Sequence, residues 1–242
     1  MKGKDFLVSG SGCVSIPELK RPGLAERLIR LLYPVRCMCC SEILREDAVL
    51  SLCDECLKTL PKCGKGFYRT PKLPYIDGLF AAFYYENGID RAVQTMKFNG
   101  QPRLAEAFAY LLLEEYLKAP ALPRIDLIMP VPMHKSKKRQ RGFNQAELLA
   151  RKISGFLDIP LDTDTLVKTR GTKPQSSLTR PERLQNLVNA FEVRNIRNIR
   201  NKNILLVDDV ITTGTTINTC GKILYENGAA RIYAMVVAKA GN

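Results

Sequence analysis

No apolar run in the chain approaches the roughly 20 residues that span a bilayer. The longest candidates, Leu127 to Met133 and Ile232 to Ala238, have strand length, which excludes an integral helical membrane protein. The segment Met1 to Cys13 offers only Phe6-Leu7-Val8 as an apolar core, too short for a secretory leader, and Gly10 stands where a lipoprotein box wants leucine. The chain is therefore expected in the cytoplasm. Tryptophan is absent and aromatic residues are 7% of the total, so tight nucleic-acid binding driven by base stacking is not expected. A Gly-x-x-x-x-Gly-Lys-Ser/Thr phosphate loop is also missing, which removes the P-loop nucleotidases. Proline (14) and glycine (16) are too few for collagen or a low-complexity chain, and 45% apolar residues argue against wholesale disorder.

Lysine and arginine number 37 against 24 acidic residues, a net charge of +13 that favours polyanionic partners: phosphate ligands, nucleic acid or an anionic surface. A length of 242 residues predicts one main core plus a smaller module. Residues 1–23 read as a flexible tail, 24–75 as a helix followed by a cysteine-rich module, and 76–242 as the main domain. Leu24, Leu28, Leu31 and Leu32 recur at helical spacing up to Pro34, predicting a short helix whose leucines dock on the body of the protein. Helices are expected over Ile89 to Phe98 and Leu104 to Leu117. Beyond them strands (Leu127 to Val131, Leu166 to Thr169, Asn203 to Val207, Arg231 to Ala238) alternate with helices (Asn144 to Leu157, Thr215 to Glu226). Such alternation implies an α/β fold with a mainly parallel sheet flanked by helices. The tandem Asn-Ile-Arg at Asn195 to Arg200 reads as a solvated turn or loop.

Six of the eight cysteines fall between Cys37 and Cys63. Cys37-x-x-Cys40 and Cys53-x-x-Cys56 have the form of two knuckles that bring four thiolates around a tetrahedral Zn2+. Four thiolates leave no open coordination position, so the role is structural. Cys39 offers an alternative ligand within the first knuckle, Cys63 looks like half of a further knuckle, and unligated thiols are the competing reading. Cys220 reads as a packing residue in a helix.

The most informative stretch is Ile204-Leu-Leu-Val-Asp208-Asp209-Val-Ile-Thr212-Thr213-Gly214-Thr215-Thr216. An apolar strand runs into two carboxylates and then a Gly/Thr loop that opens a helix. Helix N-terminal N–H groups and threonine hydroxyls suit a phosphate monoester, while the carboxylates suit vicinal ribose hydroxyls or a hydrated Mg2+. A merely capped helix explains the threonines and leaves the acid pair unexplained. Five cations, Lys135, Lys137, Lys138, Arg139 and Arg141, form a basic loop beyond the strand that ends at Pro130-Val131-Pro132. Alone they read as a solvated charge run; beside a phosphate loop they favour a pyrophosphate.

Val207 to Thr216 resembles the 5-phosphoribosyl-1-pyrophosphate (PRPP) signature of type I phosphoribosyltransferases. The resemblance implies that fold, with Asp208 and Asp209 at the ribose hydroxyls and Thr212, Thr213, Gly214, Thr215 and Thr216 around the 5-phosphate. Purine-salvage members carry an Asp where this chain has Thr212, so the loop looks more like those of orotate or amido phosphoribosyltransferases. Nothing in residues 1–75 resembles the glutaminase domain of the amido enzyme. Arg170, Thr172, Gln175, Arg183 and Asn186 lie in a polar stretch of a length expected for a lid.

Four blocks occur in order: Pro-Val-Pro-(basic)-Arg-Gly-Phe-Asn-Gln-Ala, Arg-x-Thr-x-x-Gln, Arg-x-x-Asn-x-x-x-Ala-Phe and Asp-Asp-Val-x-Thr-Thr-Gly. With the cysteine module they resemble the ComF (ComFC) competence proteins over roughly residues 24–240. That resemblance implies a role in natural transformation, the inward transport of single-stranded DNA. It implies PRPP, single-stranded DNA and other uptake proteins at the inner membrane as partners, and leaves open whether a transferase reaction occurs. Competing functions are a biosynthetic or salvage phosphoribosyltransferase, its acceptor held by a hood over Tyr75 to Lys118, and a non-catalytic zinc and nucleic-acid module.

Overall fold

Apolar strand runs without alternation require a sheet covered on both faces. The computed structural model describes residues 5–7, 13–15, 21–98, 103–169 and 190–241. It opens with β1 (Asp5–Leu7) and β2 (Cys13–Ser15), an antiparallel pair, then α1 (Leu24–Leu32) and α2 (Asp54–Lys58). There follow β3 (Gly78–Tyr84), α3 (Ile89–Phe98), α4 (Arg103–Tyr116), β4 (Leu127–Pro130), α5 (Lys135–Arg141) and α6 (Gln145–Leu157). The chain continues through β5 (Leu166–Lys168), β6 (Phe191–Val193), β7 (Asn203–Ile211), α7 (Thr215–Glu226) and β8 (Arg231–Lys239). The main sheet is four-stranded and parallel throughout, in the order β3-β8-β7-β4. A second, antiparallel pair joins β5 to β6.

Side chains alternate across the two central strands. Leu205, Val207, Met235 and Val237 meet Ile89, Met96, Phe108, Leu112, Leu149 and Ile153 from α3, α4 and α6. On the opposite face Leu206, Ile204, Ala234 and Val236 meet Ile217, Cys220 and Leu224 of α7 and Phe191 of β6. Burying one such aliphatic side chain stabilises by about 1.5–3 kcal/mol, so the two layers outweigh any single polar contact. Sequence reasoning assigned Tyr75 to Lys118 to an acceptor hood. Instead β3 is an edge strand of the main sheet, and α3 and α4 cover one of its faces.

The cysteine module packs on the α3 and α4 side, with Met38, Cys39, Leu44, Leu52 and Leu60 joining that core. Gly88 allows the approach: its φ is 91°, and a Cβ there would stand 2.7 Å from Cys39 Cβ. The Arg91 guanidinium also donates to the Cys39 carbonyl at 3.2 Å.

Two sequence expectations fail locally. Helix α1 forms over the expected residues, but its leucines face outward, with Leu24 79% and Leu32 80% exposed. Its arginines anchor it instead: Arg30 donates to the Ala48 carbonyl at 2.7 Å, and Arg27 pairs with Glu46 at 3.1 Å. The Asn-Ile-Arg repeat forms a 3-10 turn over Ile196–Asn198, and only its first isoleucine is solvated. Ile196 is exposed, whereas Ile199 is fully buried. Among the described residues no helix is long and apolar enough to cross a membrane.

Candidate functional site

Strand β7 carries its apolar run Ile204 to Val207 through the core and reaches the carboxyl edge of the sheet at Asp208 and Asp209. Successive side chains on a strand point to opposite faces. Alternation therefore sends Asp208 toward α7, where its charge is felt by the buried Cys220, and Asp209 toward α3. There Lys97 Nζ lies 3.0 Å from Asp209 Oδ1. Local backbone donors hold both acids: Asp209 N–H donates to Asp208 Oδ1 at 2.9 Å, and Val210 N–H to Asp209 Oδ1 at 2.7 Å. Burial first, and the neighbouring Asp209 carboxylate second, raise the Asp208 carboxyl to about 7, against the opposing pull of Lys97 and Lys168.

Beyond Ile211 the chain turns through the exposed Thr212 and Thr213 into α7. Gly214 takes the N-cap position at φ 76° and brings no capping side chain of its own. The first turn of α7 thus presents its N–H groups at the same edge as the acids. The Thr213 hydroxyl accepts from Thr215 N–H at 3.4 Å and lies 2.9 Å from the Thr215 hydroxyl; Thr215 and Thr216 are half-buried. A strap from Leu73 to Ile76, not anticipated from sequence, holds this loop in place. A Cβ on Gly214 would stand 2.4 Å from Leu73 Cδ2, one on Gly221 2.7 Å from the Tyr75 carbonyl oxygen, and Tyr75 N–H donates to Asn218 Oδ1 at 3.2 Å.

Strand β4 lies beside β7 as expected, with Pro130 opposite Val207 and Val131 N–H donating to the Val207 carbonyl at 2.8 Å. The basic segment that follows is a helix, α5, where sequence reasoning placed a loop. His134 caps it, its Nδ1 accepting from Ser136 N–H at 3.3 Å, and Gly142 ends it at φ 86°. Lysine, arginine and glutamine are good helix formers, so charge without apolar periodicity concealed the element. Lys135, Lys137, Lys138 and Arg139 are exposed. Lys138 pairs with Glu147 at 2.7 Å and Arg141 donates to Gln145 Oε1 at 2.9 Å, which turns two of the five cations toward the first turn of α6. Gln145 is buried, and its Nε2 is shut in with no acceptor among the described residues, a donor that an internal water would satisfy.

Lys168 ends β5 with its ammonium 5.2 Å from the centre of the Phe191 ring. Burial and then Lys137 lower its pKa, while Cys220 and Asp208 oppose the shift. Next to it Thr169 N–H donates to the Ala190 carbonyl at 2.9 Å, so the chain leaves and rejoins the small sheet at one place. The intervening Arg170, Thr172, Gln175, Arg183 and Asn186 lie outside the described residues.

The other centre is formed by Cys37, Cys40, Cys53 and Cys56, whose Sγ atoms all lie within 4.8 Å of one another. Tetrahedral bonds of about 2.3 Å require S···S separations near 3.8 Å, and Cys40 and Cys53 stand 3.7 Å apart. These four can hold a metal ion. Cys53 doubles as N-cap of α2, its sulfur accepting from Cys56 N–H at 3.4 Å. The other two cysteines are turned away. Cys39 is buried beneath Gly88, and Cys63 hydrogen-bonds through its N–H to the Ala82 carbonyl of β3 at 2.9 Å. Burial pushes the Cys63 thiol up to about 11.

Lys97, Gln145 and Leu73 were missed by sequence reasoning. Lys97 sits in the last turn of α3, where a cation ordinarily serves the helix dipole, and only the tertiary fold brings it to Asp209.

Comparison with known proteins agrees with this architecture. The phosphoribosyl transferase domain profile matches residues 139–242. The chain is 32% identical to "DNA utilization protein YhgH" of Salmonella typhi over 204 residues, 81% of this chain and 86% of that one. It is 30% identical to "Competence protein F" of Haemophilus influenzae over 225 residues, 86% of this chain and 98% of that one. "Competence protein ComFC" of Bacillus subtilis matches over 150 residues at 30% identity, 62% of this chain and 59% of that one. A parallel sheet with a phosphoribosyltransferase domain, a four-cysteine cluster ahead of it and relatives matched over most of their length together show that the chain belongs to the ComF/ComFC family of competence proteins.

Proposed function

We propose that this protein binds PRPP with Mg2+ at the carboxyl edge of its sheet and serves DNA uptake during natural transformation. One observation carries the reading: an acid pair near the end of a central parallel strand is followed by an αL glycine that opens a helix and has no capping side chain of its own. Asp208 and Asp209 take the ribose hydroxyls, the hydrated Mg2+ lies beside them, and Thr212 to Thr216 wrap the 5-phosphate. The pyrophosphate faces α5 and the first turn of α6, where Lys137 and Arg141 stand. Arg170, Thr172, Gln175, Arg183 and Asn186 supply the lid over it.

The cysteine cluster holds one structural Zn2+. The exposed cations of α5 give weak binding of single-stranded DNA that falls steeply with salt, since phosphate contacts release counterions. The protein works in the cytoplasm, reaching the inner face of the membrane through other uptake proteins.

Catalysis is the narrowest part of the reading. His134 is committed to capping α5, and Thr212 offers no carboxylate to act as a base toward an acceptor. Slow PRPP hydrolysis and no efficient transfer to purine bases are expected. A pyrophosphate-release screen against purines, pyrimidines, ammonia, nucleotides and DNA tests this, and rapid turnover with a purine would refute it. In a transformable host, Asp208→Ala with Asp209→Ala should abolish transformation while the folded protein accumulates normally.

A further inference from the structure

Asp209 Oδ1 accepts from Val210 N–H at 2.7 Å and is ion-paired with the Lys97 ammonium, whose Nζ lies 3.0 Å away. Oδ1 is therefore the oxygen engaged by the protein, through one hydrogen bond and one ion pair. Among the described residues no donor reaches Oδ2. Nor is Oδ2 shut in: the buried side-chain polar atom left without a partner there is Gln145 Nε2. Oδ2 therefore opens to solvent as the oxygen of Asp209 that carries no hydrogen bond from the described residues. The Lys97 side chain is 24% exposed and that of Asp209 9%, so the contact is shielded enough to hold a defined geometry, unlike a solvent-screened surface pair.

The two acids also differ. Asp208 Oδ1 is held by Asp209 N–H, a backbone donor of the same strand, whereas Asp209 depends on a side chain carried by α3, from the segment between the cysteine module and β4.

We propose that Lys97 is the positioning residue of the ribose site: by its ion pair with Asp209 Oδ1 it holds the carboxylate rotamer and presents Oδ2 to one hydroxyl of a vicinal diol on a phosphorylated ribose. Lys97 acts through Asp209 and does not touch the ligand. The inference rests on the PRPP reading above and adds to it a residue outside the recognised sequence blocks. Pre-orientation of this kind removes the ordering that a free carboxylate rotamer would otherwise require on binding.

A double-mutant cycle tests it. Calorimetry on the full chain with Mg2+ compares wild type, Lys97→Met, Asp209→Asn and the double variant, using PRPP, ribose 5-phosphate and inorganic pyrophosphate as probes. Each single substitution should weaken PRPP and ribose 5-phosphate by about tenfold, and the double variant should be no weaker than either single one. Pyrophosphate affinity should change by less than about twofold, and Lys97→Arg should restore most of the loss. Additive losses, or an equal loss of pyrophosphate, would overturn the role of Lys97 through Asp209; the latter would mean that it contacts phosphate directly. A wild-type chain that binds neither PRPP nor ribose 5-phosphate would defeat the PRPP reading itself. A wild type that binds both, beside an unchanged Lys97→Met, would defeat only the part played by Lys97.

Discussion

The cysteine module and the carboxyl edge of the sheet are ordered by opposite means. The module has short elements and few buried side chains of its own, and its chain path brings four sulfurs within 4.8 Å of one another. The sheet edge rests on two central strands whose apolar residues are almost wholly buried, and that support leaves loop, acids and helix end free to serve a ligand. One region gathers four thiols that could hold a metal ion. The other has shape to spare and uses it to hold two carboxylates and an αL glycine in arrangements that an unsupported loop would not keep.

Removing the metal should separate the two regions most sharply. Purified protein should carry about one zinc per chain, and Cys53→Ser with Cys56→Ser should release it. Because structural zinc supplies folding free energy directly, the melting temperature should fall by on the order of 10 °C or more. The loss should reach the α3 and α4 side of the sheet, since Leu44, Leu52 and Leu60 share that core. Full zinc retention in the double variant would defeat the assignment.

At the sheet edge, Gly214→Ala should cost about 1–3 kcal/mol in denaturant unfolding. Its φ of 76° disfavours any side chain, and the new Cβ would press on Leu73. The same substitution at Gly155, where a Cβ meets nothing within 4 Å, supplies the control. Equal effects at the two positions would show that the loop is less tightly supported than described.

A smaller effect concerns Asp208, whose carboxyl is raised to about 7 by burial and then by Asp209. The folded chain keeps a proton there that the unfolded chain releases near pH 4. Stability from this group is therefore present below about pH 4 and is lost as pH rises toward about 7. In buffer without Mg2+, Asp208→Asn should flatten that decline and melt a few degrees above wild type at pH 8, with little difference near pH 4. Parallel melting curves for the two proteins across this range would contradict the stated cause.

What could be read from the sequence tracks how local each feature is. The two Cys-x-x-Cys knuckles and the Asp-Asp-x-x-Thr-Thr-Gly turn each lie within one short stretch, so residue spacing carries their chemistry. The alternating strands and helices were legible because buried parallel strands are uniformly apolar. Lys97 and Leu73 reach the site from elements distant in the chain, and no periodicity marks them. Helix α5 was hidden because a run of cations has no apolar face, and its ends are set by His134 and Gly142. The outward leucines of α1 reverse the usual rule: Arg27 and Arg30 find partners on the module, and the apolar side is left outside.

The claim on which the rest depends is that the acid pair and the threonine loop form a PRPP site. Isothermal titration of the full chain with PRPP and Mg2+ tests it most directly, with Asp208→Ala, Asp209→Ala titrated alongside. The account predicts saturable heat for the wild type and affinity at least about tenfold weaker in the variant, because the hydroxyl acceptors are gone. No heat from the wild type at millimolar PRPP, or equal affinity in the two proteins, would contradict it.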